Sequence, residues 1–562
     1  MTTKPETDQS AVASPVDTAE NASTDALLRC WVRENALPVG DDLLELDLAA
    51  SGVQVRVPVL YHSPTGQHRF GPAQLHTGTP VGAVGMAALL ALEIGGMDQA
   101  AVADLVGRVA DSQQRIAEHV RLRTEHAADP PGTTPFLAAE QALLLGHPLH
   151  PAPKSRTGLG PEEARRYSPE LRGSFALHWF AVDTSVLSGE GGAAERLAPH
   201  APPVPAGTVP IPAHPWQARE VRSRPGIRRL LDAGLLHDLG ASGEPWSPTA
   251  SIRTVYRADA DIMLKFSLGL PITNSVRENQ RKELRRGAEI DRLLDAGLAD
   301  EIARQHPGFG IVRDPAWLAV DVDDAEDGGL ELVVRDNPIS AADRAVCVAG
   351  LLAERPDREN SPLATALTSL AADSGAGLGE ITEQWCDRYF DAVIAPVLWL
   401  YREYGLGLEA HQQNTLVVLD DQGWPSGGWY RDNQGYYLSA QRTSALHRFL
   451  PGVGTEGDNV VDEAVIDERL GYYIGINNLL GLIGALGAQG FADERRLLAR
   501  VAGRLREFAD LPLARTLAGA VTLRCKANLL TRADGRDELV GPLETQSVYC
   551  DIPNPFAEAV QP

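Results

Sequence analysis

The chain has 562 residues and a mass of 60.3 kDa, which is too long for one ordinary apolar core and predicts several subdomains. Hydrophobic residues make up 44% of the chain and charged residues 22%, a composition that excludes a wholly disordered protein. The net charge of −24 argues against nucleic acid or an anionic membrane as the main partner. The five cysteines form no C-x-x-C pair, which argues against a zinc module or a disulfide scaffold and fits a reducing compartment.

The first predicted element is a polar tail. Residues 1–24 are polar and acidic, which predicts a disordered tail rather than a signal peptide, and hence a soluble, cytoplasmic protein. The longest apolar run, residues 81–92, is too short to span a bilayer. Apolar positions three and four apart predict a helix over 98–122, and the strand-like alternation of 173–183 follows a Pro-, His- and Gly-rich loop at 146–163.

The second half of the chain mixes strands with helices. A Pro-rich connector at 199–217 predicts a boundary, and residues 248–275 predict a β-hairpin with its turn at Ala-Asp-Ala-Asp. Helical periodicity follows at 276–304, strands at 415–438, and helices over the last hundred residues. We therefore expect an α+β fold with a tail at 1–24 and three domains, which cover 25–205, 206–345 and 346–562.

The predicted hairpin carries the first group of chemically informative residues. Lys265 lies in an alternating strand, where a charge that faces the core requires an anionic partner. The hairpin places Ser251, Arg253 and Thr254 across from Lys265, and hydroxyls with Arg and Lys on one face form a phosphate site outside the P-loop class. From these residues alone, an edge strand with an exposed lysine is the alternative.

A second group follows at 409–435. His411 and Asn414 are three residues apart, so one turn can direct both at a single point, and a strand and its return bring Asp432 back near Asn414. Asn and Asp oxygens beside a phosphate site suit Mg²⁺. The arrangement is similar to the way protein kinases hold metal with an Asn and a following Asp.

The loop at 146–158 is the third group. It carries His147, His150, Lys154 and Arg156, which together can receive a carboxylate or a phosphate. The prolines that follow each histidine argue against a zinc site, because they disfavour a helical placement of both imidazoles.

Two further motifs are interpreted as structural. The Gly-rich run at 452–457 predicts a surface turn rather than a dinucleotide site, and Trp216 in Ile-Pro-Ala-His-Pro-Trp-Gln (211–217) predicts packing. The sequence contains no Walker A motif and no G-x-S-x-G motif, which argues against a P-loop NTPase and an α/β-hydrolase.

Six motifs taken in order resemble the IucA/IucC family of NRPS-independent siderophore (NIS) synthetases. They are GHPLHPAPKSRTG, IPAHPWQ, SIRT, LKFSLGLPITNSVR, EAHQQN and RDNQG, and they span residues 146–435. The resemblance implies a thumb-like domain at 25–205, a fingers-like ATP-binding β region at 206–345 and a distantly kinase-like palm at 346–562, assembled as a homodimer.

The resemblance also implies a ligase that uses ATP and Mg²⁺ to convert a carboxylate into an acyl-adenylate, releases pyrophosphate, and joins the acyl group to an amine or a hydroxyl. The implied ATP-binding residues are Ser251, Arg253, Thr254, Lys265, Asn274, Arg277, His411, Gln413 and Asn414. The implied substrate-binding residues are His150, Lys154, Arg156 and Arg277. The implied catalytic residues are Arg277, His411, Lys265 and His150, and the implied Mg²⁺ ligands are Asn414 and Asp432.

The acid is expected to be citrate, because Gln412 gives EAHQQN in place of the EAHGQN associated with monoacylated acids. The same chemistry on 2-oxoglutarate or on a monoacylated citrate or succinate derivative is the alternative. No general base is evident, and His150 and His411 are candidates. Two other classes are weighed: a kinase-like phosphotransferase, which would form ADP, and a non-catalytic iron–siderophore binding or reducing protein, which would require clustered cysteines or a secretion signal.

Overall fold

Helices and largely antiparallel sheets alternate in the computed structural model, which describes residues 13–273, 275–322, 328–536 and 547–560. This mixture agrees with the predicted α+β class. The α-helices of the described residues are Pro15–Glu34, Ala83–Glu93, Gln99–Glu125, Pro135–Glu140, Pro161–Tyr167, Ala193–Leu197, Pro215–Val221, Pro225–Asp232, Arg281–Leu293, Ala299–Gln305, Val348–Leu352, Pro362–Ser374, Leu378–Tyr389, Ala395–Tyr404, Ser444–His447, Glu463–Leu470, Gly481–Ala488, Glu494–Leu505, Pro512–Gly519, Asn528–Ala533 and Pro555–Glu558. Three π-helical segments, Leu294–Leu298, Phe390–Ile394 and Gly471–Leu480, each join two of them.

An eight-stranded antiparallel sheet, here called the central sheet, contains the predicted hairpin. Its strands, from one edge to the other, are Leu187–Glu190, Ala316–Val320, Leu332–Asp336, Ile262–Phe266, Thr254–Tyr256, Leu236–Pro248, Phe175–Asp183 and Thr208–Ala213. The hairpin prediction is confirmed, since Lys265 lies directly opposite Thr254. All five residues of Ile262–Phe266 are buried, because the strand has a neighbour on each side and apolar side chains on both faces.

Within the part of the chain that the structure describes, the other strands form five smaller sheets. The C-terminal sheet has the order Phe309–Val312, Pro425–Arg431, Thr415–Leu419, Ala345–Cys347, with the first pair parallel. The N-terminal sheet consists of Leu43–Leu48, Val53–Tyr61, Arg69–Phe70 and Gln74–Leu75. The remaining strands pair as Leu268–Ile272 with Ser275–Arg277, Leu406–Leu408 with Tyr436–Ser439 and Val460–Val461, and Thr522–Lys526 with Tyr549–Pro553.

One continuous helical stretch, Glu463–Ala488, is long and apolar enough to cross a membrane by length and composition alone. Of its most apolar window, 78% is buried inside the protein. The stretch therefore has the burial of a core helix, and it is a longer apolar segment than the 81–92 run singled out in the sequence.

Among the described residues, three large apolar cores and two small apolar clusters hold the elements together. One joins the N-terminal helices to the N-terminal sheet, a second surrounds the central sheet, and the largest lies among the C-terminal helices. The strands Phe175–Asp183 and Leu187–Glu190 belong to the central sheet and pack in the second core. The structure therefore does not separate the chain at residue 205, because this position lies between strands of one sheet.

The predicted tail is wrong over its second half. A helix begins at Pro15, where Ser14 accepts a hydrogen bond from the Asp17 amide at 3.2 Å. Polar composition hid this helix, whose buried positions include Ala19, Ser23 and Thr24. Residues 1–12 lie outside the described part of the chain. The helix predicted from 276 also begins later, at Arg281, because 275–277 form a strand.

Candidate active site

A cavity of about 830 Å³, here called the pocket, has in its wall every predicted site residue that the structure describes. These residues are Ser251, Arg253, Thr254, Lys265, Arg277, His411, Gln413, Asn414, Asp432, His150, Lys154 and Arg156. Asn274 lies outside the described residues. The loop at 146–156, the central sheet and the C-terminal strands each supply part of the wall, so the predicted motifs meet in space although they span almost 300 positions.

Lys265 and Asp432 form an ion pair in the pocket. The Lys265 Nζ donates to Asp432 Oδ1 at 2.9 Å and also to Asn433 Oδ1. Burial lowers the pKa of Lys265 to about 8, although Asp432 opposes the shift. Burial alone would raise the pKa of Asp432, but the charge and hydrogen bond of Lys265 outweigh it and hold this pKa well below its usual range. The predicted anionic partner of Lys265 is thus Asp432.

Asp432 and Asn414 meet as the strand-and-return geometry predicts. The Asn414 Nδ2 lies 3.5 Å from Asp432 Oδ2, and the same nitrogen donates to the Glu409 carbonyl at 3.3 Å. With its nitrogen so directed, Asn414 has its amide oxygen available as a ligand. One carboxylate and one amide oxygen, completed by phosphate oxygens and water, are the donors that Mg²⁺ takes in nucleotide sites. The residues therefore fit Mg²⁺, which Asp432 and Asn414 would hold.

The Ser-Ile-Arg-Thr motif forms a strained turn at the pocket wall. Ile252 has a φ of 67°, a left-handed conformation that is costly for a β-branched residue. The turn is fixed by a hydrogen bond from the Thr254 amide to Ser251 Oγ at 3.1 Å. Arg253 donates to the Arg277 carbonyl at 2.8 Å and to Asn279 Oδ1 at 2.9 Å. Strain of this kind concentrates at functional sites.

Arg277 shares its edge of the pocket with a second strained residue. Its guanidinium donates to Thr273 Oγ1 at 3.0 Å, and Thr273, also β-branched, has a φ of 55°. Arg277 and Thr273 line the same pocket as Ser251 and Thr254.

His411 is held as a neutral donor. Its Nδ1 accepts hydrogen bonds from the Gln413 and Asn414 amides at 3.2 and 3.4 Å, so the ring proton lies on Nε2. Burial lowers the pKa of His411 to about 4, so the ring is uncharged at neutral pH. His150 has the same arrangement, since its Nδ1 accepts from the Ala152 amide at 3.1 Å. In a neutral ring whose Nδ1 accepts a hydrogen bond the proton lies on Nε2, which argues against either histidine as a general base.

Lys154 and Arg156 are engaged with a carboxylate that the motif did not contain. Lys154 Nζ donates to Glu170, and Arg156 donates to the same carboxylate at 2.8 and 3.2 Å. Burial would raise the pKa of Glu170, but Arg156 and Lys154 hold it well below its usual range. Two cations and one anion leave a net charge of +1, so this part of the loop carries half the positive charge expected from its sequence.

Several pocket residues were not predicted. Glu409 accepts a hydrogen bond from the Tyr437 hydroxyl, and burial raises its pKa. Arg469 and Lys526 enter the wall from the C-terminal region, and Asp25 and Arg29 enter from the N-terminal helix. Lys526 is one of only five lysines, and that rarity could have indicated a site residue. Nothing in the local sequence indicates a functional role for Arg469 or for the helix Pro15–Glu34.

The two motifs interpreted as structural behave as predicted. The Gly-rich turn at 452–457 surrounds the Glu289 carboxylate, which accepts from the Gly454 and Gly457 amides at 2.9 and 3.1 Å. Trp216 is buried in the second core and donates to the Gly158 carbonyl at 3.2 Å. The described residues contain no group of three or more His, Cys, Asp or Glu side chains suited to a metal ion.

Comparison with known families gives two matches. Residues 135–353 match the model of the IucA / IucC family, and residues 383–541 match a model described as ferric iron reductase FhuF-like transporter. The chain is 38% identical to the rhizobactin siderophore biosynthesis protein RhbC of Rhizobium meliloti (strain 1021), over 96% of this chain and 98% of the relative. It is 32% identical to the spermidine-citrate ligase of Bacillus anthracis, again over 96% of this chain and 98% of the relative.

Solved structures agree with these relatives. The ATP-bound aerobactin synthetase IucA from a hypervirulent pathotype of Klebsiella pneumoniae superposes with a TM-score of 0.83 at 27% identity, covering 95% of this chain and 99% of that one. The petrobactin biosynthesis protein AsbB from Bacillus anthracis, at 16% identity and a TM-score of 0.77 over 97% of this chain and 96% of that one, shares the fold. The chain belongs to the IucA/IucC family of NIS synthetases, and it is a ligase.

Proposed function

We propose that this protein uses ATP and Mg²⁺ to convert one carboxylate of citrate into its adenylate, releases pyrophosphate, and joins the citryl group to an amine. The observation that carries the proposal is that the Lys265–Asp432–Asn414 cluster and the His150–Arg156 loop line one pocket. The named relatives include a citrate ligase and the ATP-bound aerobactin synthetase, which supports citrate and ATP for this chain.

Charge neutralisation is the main task of the side chains in the adenylation step. A carboxylate that attacks the α-phosphorus brings two anions together, and preorganised cations reduce that repulsion. Arg277 supplies one such charge at the pocket wall, and Lys265 supplies a second that Asp432 offsets in the resting pocket. Ser251, Thr254 and the Nε2–H of His411 can donate to phosphate oxygens. Bound Mg²⁺ would supply a further positive charge to the phosphate oxygens.

The acid site follows from the loop at 146–156. After pairing with Glu170, Lys154 and Arg156 retain a net charge of +1, and the His150 ring lines the same pocket. Citrate keeps two carboxylates after one is activated, so these groups and Arg277 can pair with them. A smaller acid would leave buried donors unpaired, and that penalty is the source of discrimination against 2-oxoglutarate and succinate.

The amine must lose a proton before or during attack. Because the hydrogen bonds to Nδ1 fix His411 and His150 as Nε2–H donors, neither is suited to accept this proton in the resting state. Glu409, whose burial raises its pKa, is the pocket carboxylate best suited to receive it.

We also propose that the protein acts in the cytoplasm as a homodimer. The net charge of −24 and the lack of paired Cys motifs support the compartment, and family membership supports the assembly. Sedimentation velocity at two protein concentrations tests the assembly: a species at twice 60.3 kDa is expected, and a monomer at both concentrations would contradict it.

The experiment that tests the activity measures pyrophosphate release with ATP, Mg²⁺, an amine mixture and one acid at a time. Citrate should support release well above 2-oxoglutarate and succinate, and Lys265→Ala should abolish it. Formation of ADP without acid-dependent pyrophosphate would instead identify a kinase-like phosphotransferase. Equal rates with citrate and 2-oxoglutarate would contradict citrate and leave family membership unaffected.

A further inference from the structure

Two cysteines lie directly opposite each other beside the pocket. The strands Thr522–Lys526 and Tyr549–Pro553 pair antiparallel, with Cys525 directly opposite Cys550. Opposed residues of antiparallel strands have Cα atoms about 4.5–5.5 Å apart. This falls within the separation of about 4.4–6.8 Å that a disulfide requires. The backbone is therefore already spaced for an S–S bond.

The two thiols differ in exposure and in protonation. Cys525 is 1% exposed, whereas Cys550 is partly exposed. The neighbouring Cys550 side chain and the nearby Arg33 guanidinium lower the pKa of Cys525, whereas the neighbouring Cys525 side chain and burial raise the pKa of Cys550. A thiol of lowered pKa beside a partly exposed thiol is the arrangement of reactive cysteine pairs.

The other three cysteines provide an internal contrast. Burial raises the pKa of Cys347 to about 11 and that of Cys386 to about 12, and it holds the pKa of Cys30 well above its usual range. All three are buried without a cysteine partner among the described residues. They are therefore expected to stay unreactive under mild oxidation.

The cysteine pair is coupled to the pocket wall by its neighbours. Lys526 follows Cys525, lies opposite Tyr549 and lines the pocket. The Tyr549 hydroxyl accepts a hydrogen bond from Arg469 at 2.7 Å, and Arg469 also lines the pocket. An S–S bond holds its two sulfur atoms about 2.05 Å apart in one geometry, so it would restrain the two strands that carry Lys526 and Tyr549. The restraint reaches the pocket wall through Lys526 itself and through the contact of Tyr549 with Arg469.

We propose that Cys525 and Cys550 are a reversible disulfide site through which the thiol–disulfide state of the surroundings alters the pocket wall at Lys526 and Arg469. The co-reactant is a low-molecular-weight disulfide such as oxidised glutathione. The Cys525 and Cys550 thiols together lose two electrons and two protons, the S–S bond of oxidised glutathione breaks, and two reduced glutathione molecules leave with those electrons and protons. Reduced glutathione reverses the reaction.

The test uses the full-length protein in buffers of increasing oxidised-to-reduced glutathione ratio. Alkylation and peptide mass spectrometry should show loss of two free thiols and one cross-linked peptide pair that contains Cys525 and Cys550, with Cys30, Cys347 and Cys386 still alkylated. This measurement needs no enzyme activity, so it stands apart from the proposed function. Absence of the cross-link at the highest ratio would overturn the proposal.

The kinetic part rests on the proposed function. The KM for the acid should change at least about threefold on oxidation with a smaller change in kcat, since the altered residues bind rather than react. Cys550→Ser should remove this response, and Cys386→Ser should keep it. Identical kinetics of the oxidised and reduced protein, with the cross-link present, would overturn the link to the pocket. Loss of activity in every sample would instead contradict the proposed function.

Discussion

Lys265 keeps its charge in an environment that disfavours it. Burial lowers its pKa to about 8, and Asp432 is the main group that opposes this shift. A buried charge that lacks its partner is strongly destabilised, so removal of either Lys265 or Asp432 would destabilise the charge of the other. Bound phosphates would add a second anionic partner, and the charge of Lys265 is then held more firmly in the complex than in the free protein.

The first prediction concerns the pH dependence of this lysine. In the free enzyme kcat/KM for ATP should fall as pH rises through about 8, because Lys265 loses the charge that meets the phosphates. The effect of Lys265 on stability runs in the other direction from its effect on activity. Because its pKa is lower in the folded chain than in the unfolded chain, the unfolded chain binds more protons above pH 8, and the contribution of Lys265 to the free energy of unfolding rises there. Lys265→Arg should be less active but should lack this alkaline limb. If kcat/KM of Lys265→Arg still falls as pH rises through about 8, another group is responsible for that fall.

The second prediction concerns metal. Asp432→Asn should raise the Mg²⁺ concentration needed for half-maximal pyrophosphate release by at least about tenfold, since an amide is a poorer ligand for a hard dication. Asp432→Asn also removes the ionic partner of Lys265, so a control for the loss of a buried ion pair is needed. Asp314→Asn is that control, because it removes the bidentate ion pair with Arg335, which lines the same pocket. Overlapping Mg²⁺ titrations of the Asp432 variant and the parent would make Asp432 structural.

The N-terminal helix shows at the scale of elements how a polar sequence can be structural. Glu20 on this helix accepts hydrogen bonds from the Ala83 amide and from Gln113 Nε2. Ala83 is the first residue of the helix Ala83–Glu93, whose N-cap Gly82 has no side chain with which to cap it. Glu20 therefore caps a second helix from a distance and joins three helices of the first core.

Removal of this carboxylate is the third prediction. Glu20→Ala should lower the free energy of unfolding by about 1–2 kcal/mol, the usual range for loss of an N-cap contact. Denaturant unfolding measures the change. Val16→Ala is the matched control, because Val16 is on the same helix with 65% of its surface exposed and should unfold like the parent. Equal free energies of unfolding for Glu20→Ala and Val16→Ala would mean that the Glu20 carboxylate does not stabilise the helix Ala83–Glu93.

Local sequence patterns predicted much of the site. They could not predict the contacts that a site residue makes with residues far away in the sequence. The pairing of Lys265 with Thr254 follows from a short hairpin whose alternation fixes its register. The approach of Asp432 to Asn414 likewise needs only one strand and its return. By contrast, Glu170 lies in a short turn with no periodic pattern, so its pairing with the loop at 146–156 was not visible.

At the scale of the whole molecule, the pocket is bounded by all three apolar cores. His150 lies in the loop that packs with the first core, Thr254 lies in the central sheet, and His411 lies among the C-terminal strands. Arg469 and Lys526 come from parts of the chain that follow every motif of the family resemblance. The site is complete only when the three cores are packed against one another. Short motifs therefore predicted the residues for its chemistry, but they could not predict wall residues such as Arg469 and Lys526 that come from distant parts of the chain.

The last prediction follows from that shared boundary. ATP with Mg²⁺ binds only the docked state, so at a hundred times its Kd it should stabilise the protein by about 2.7 kcal/mol. An unfolding entropy of about 2.1 cal/mol/K per residue converts this into a rise in Tm of roughly 2 °C for a chain of this length. Calorimetry should show the rise in every transition, because a ligand held by all three cores opposes the loss of each. Lys265→Ala should remove most of the shift, whereas Arg121→Ala, an exposed residue outside the pocket wall, should keep it. A rise confined to one of several transitions would mean that ATP contacts one core alone.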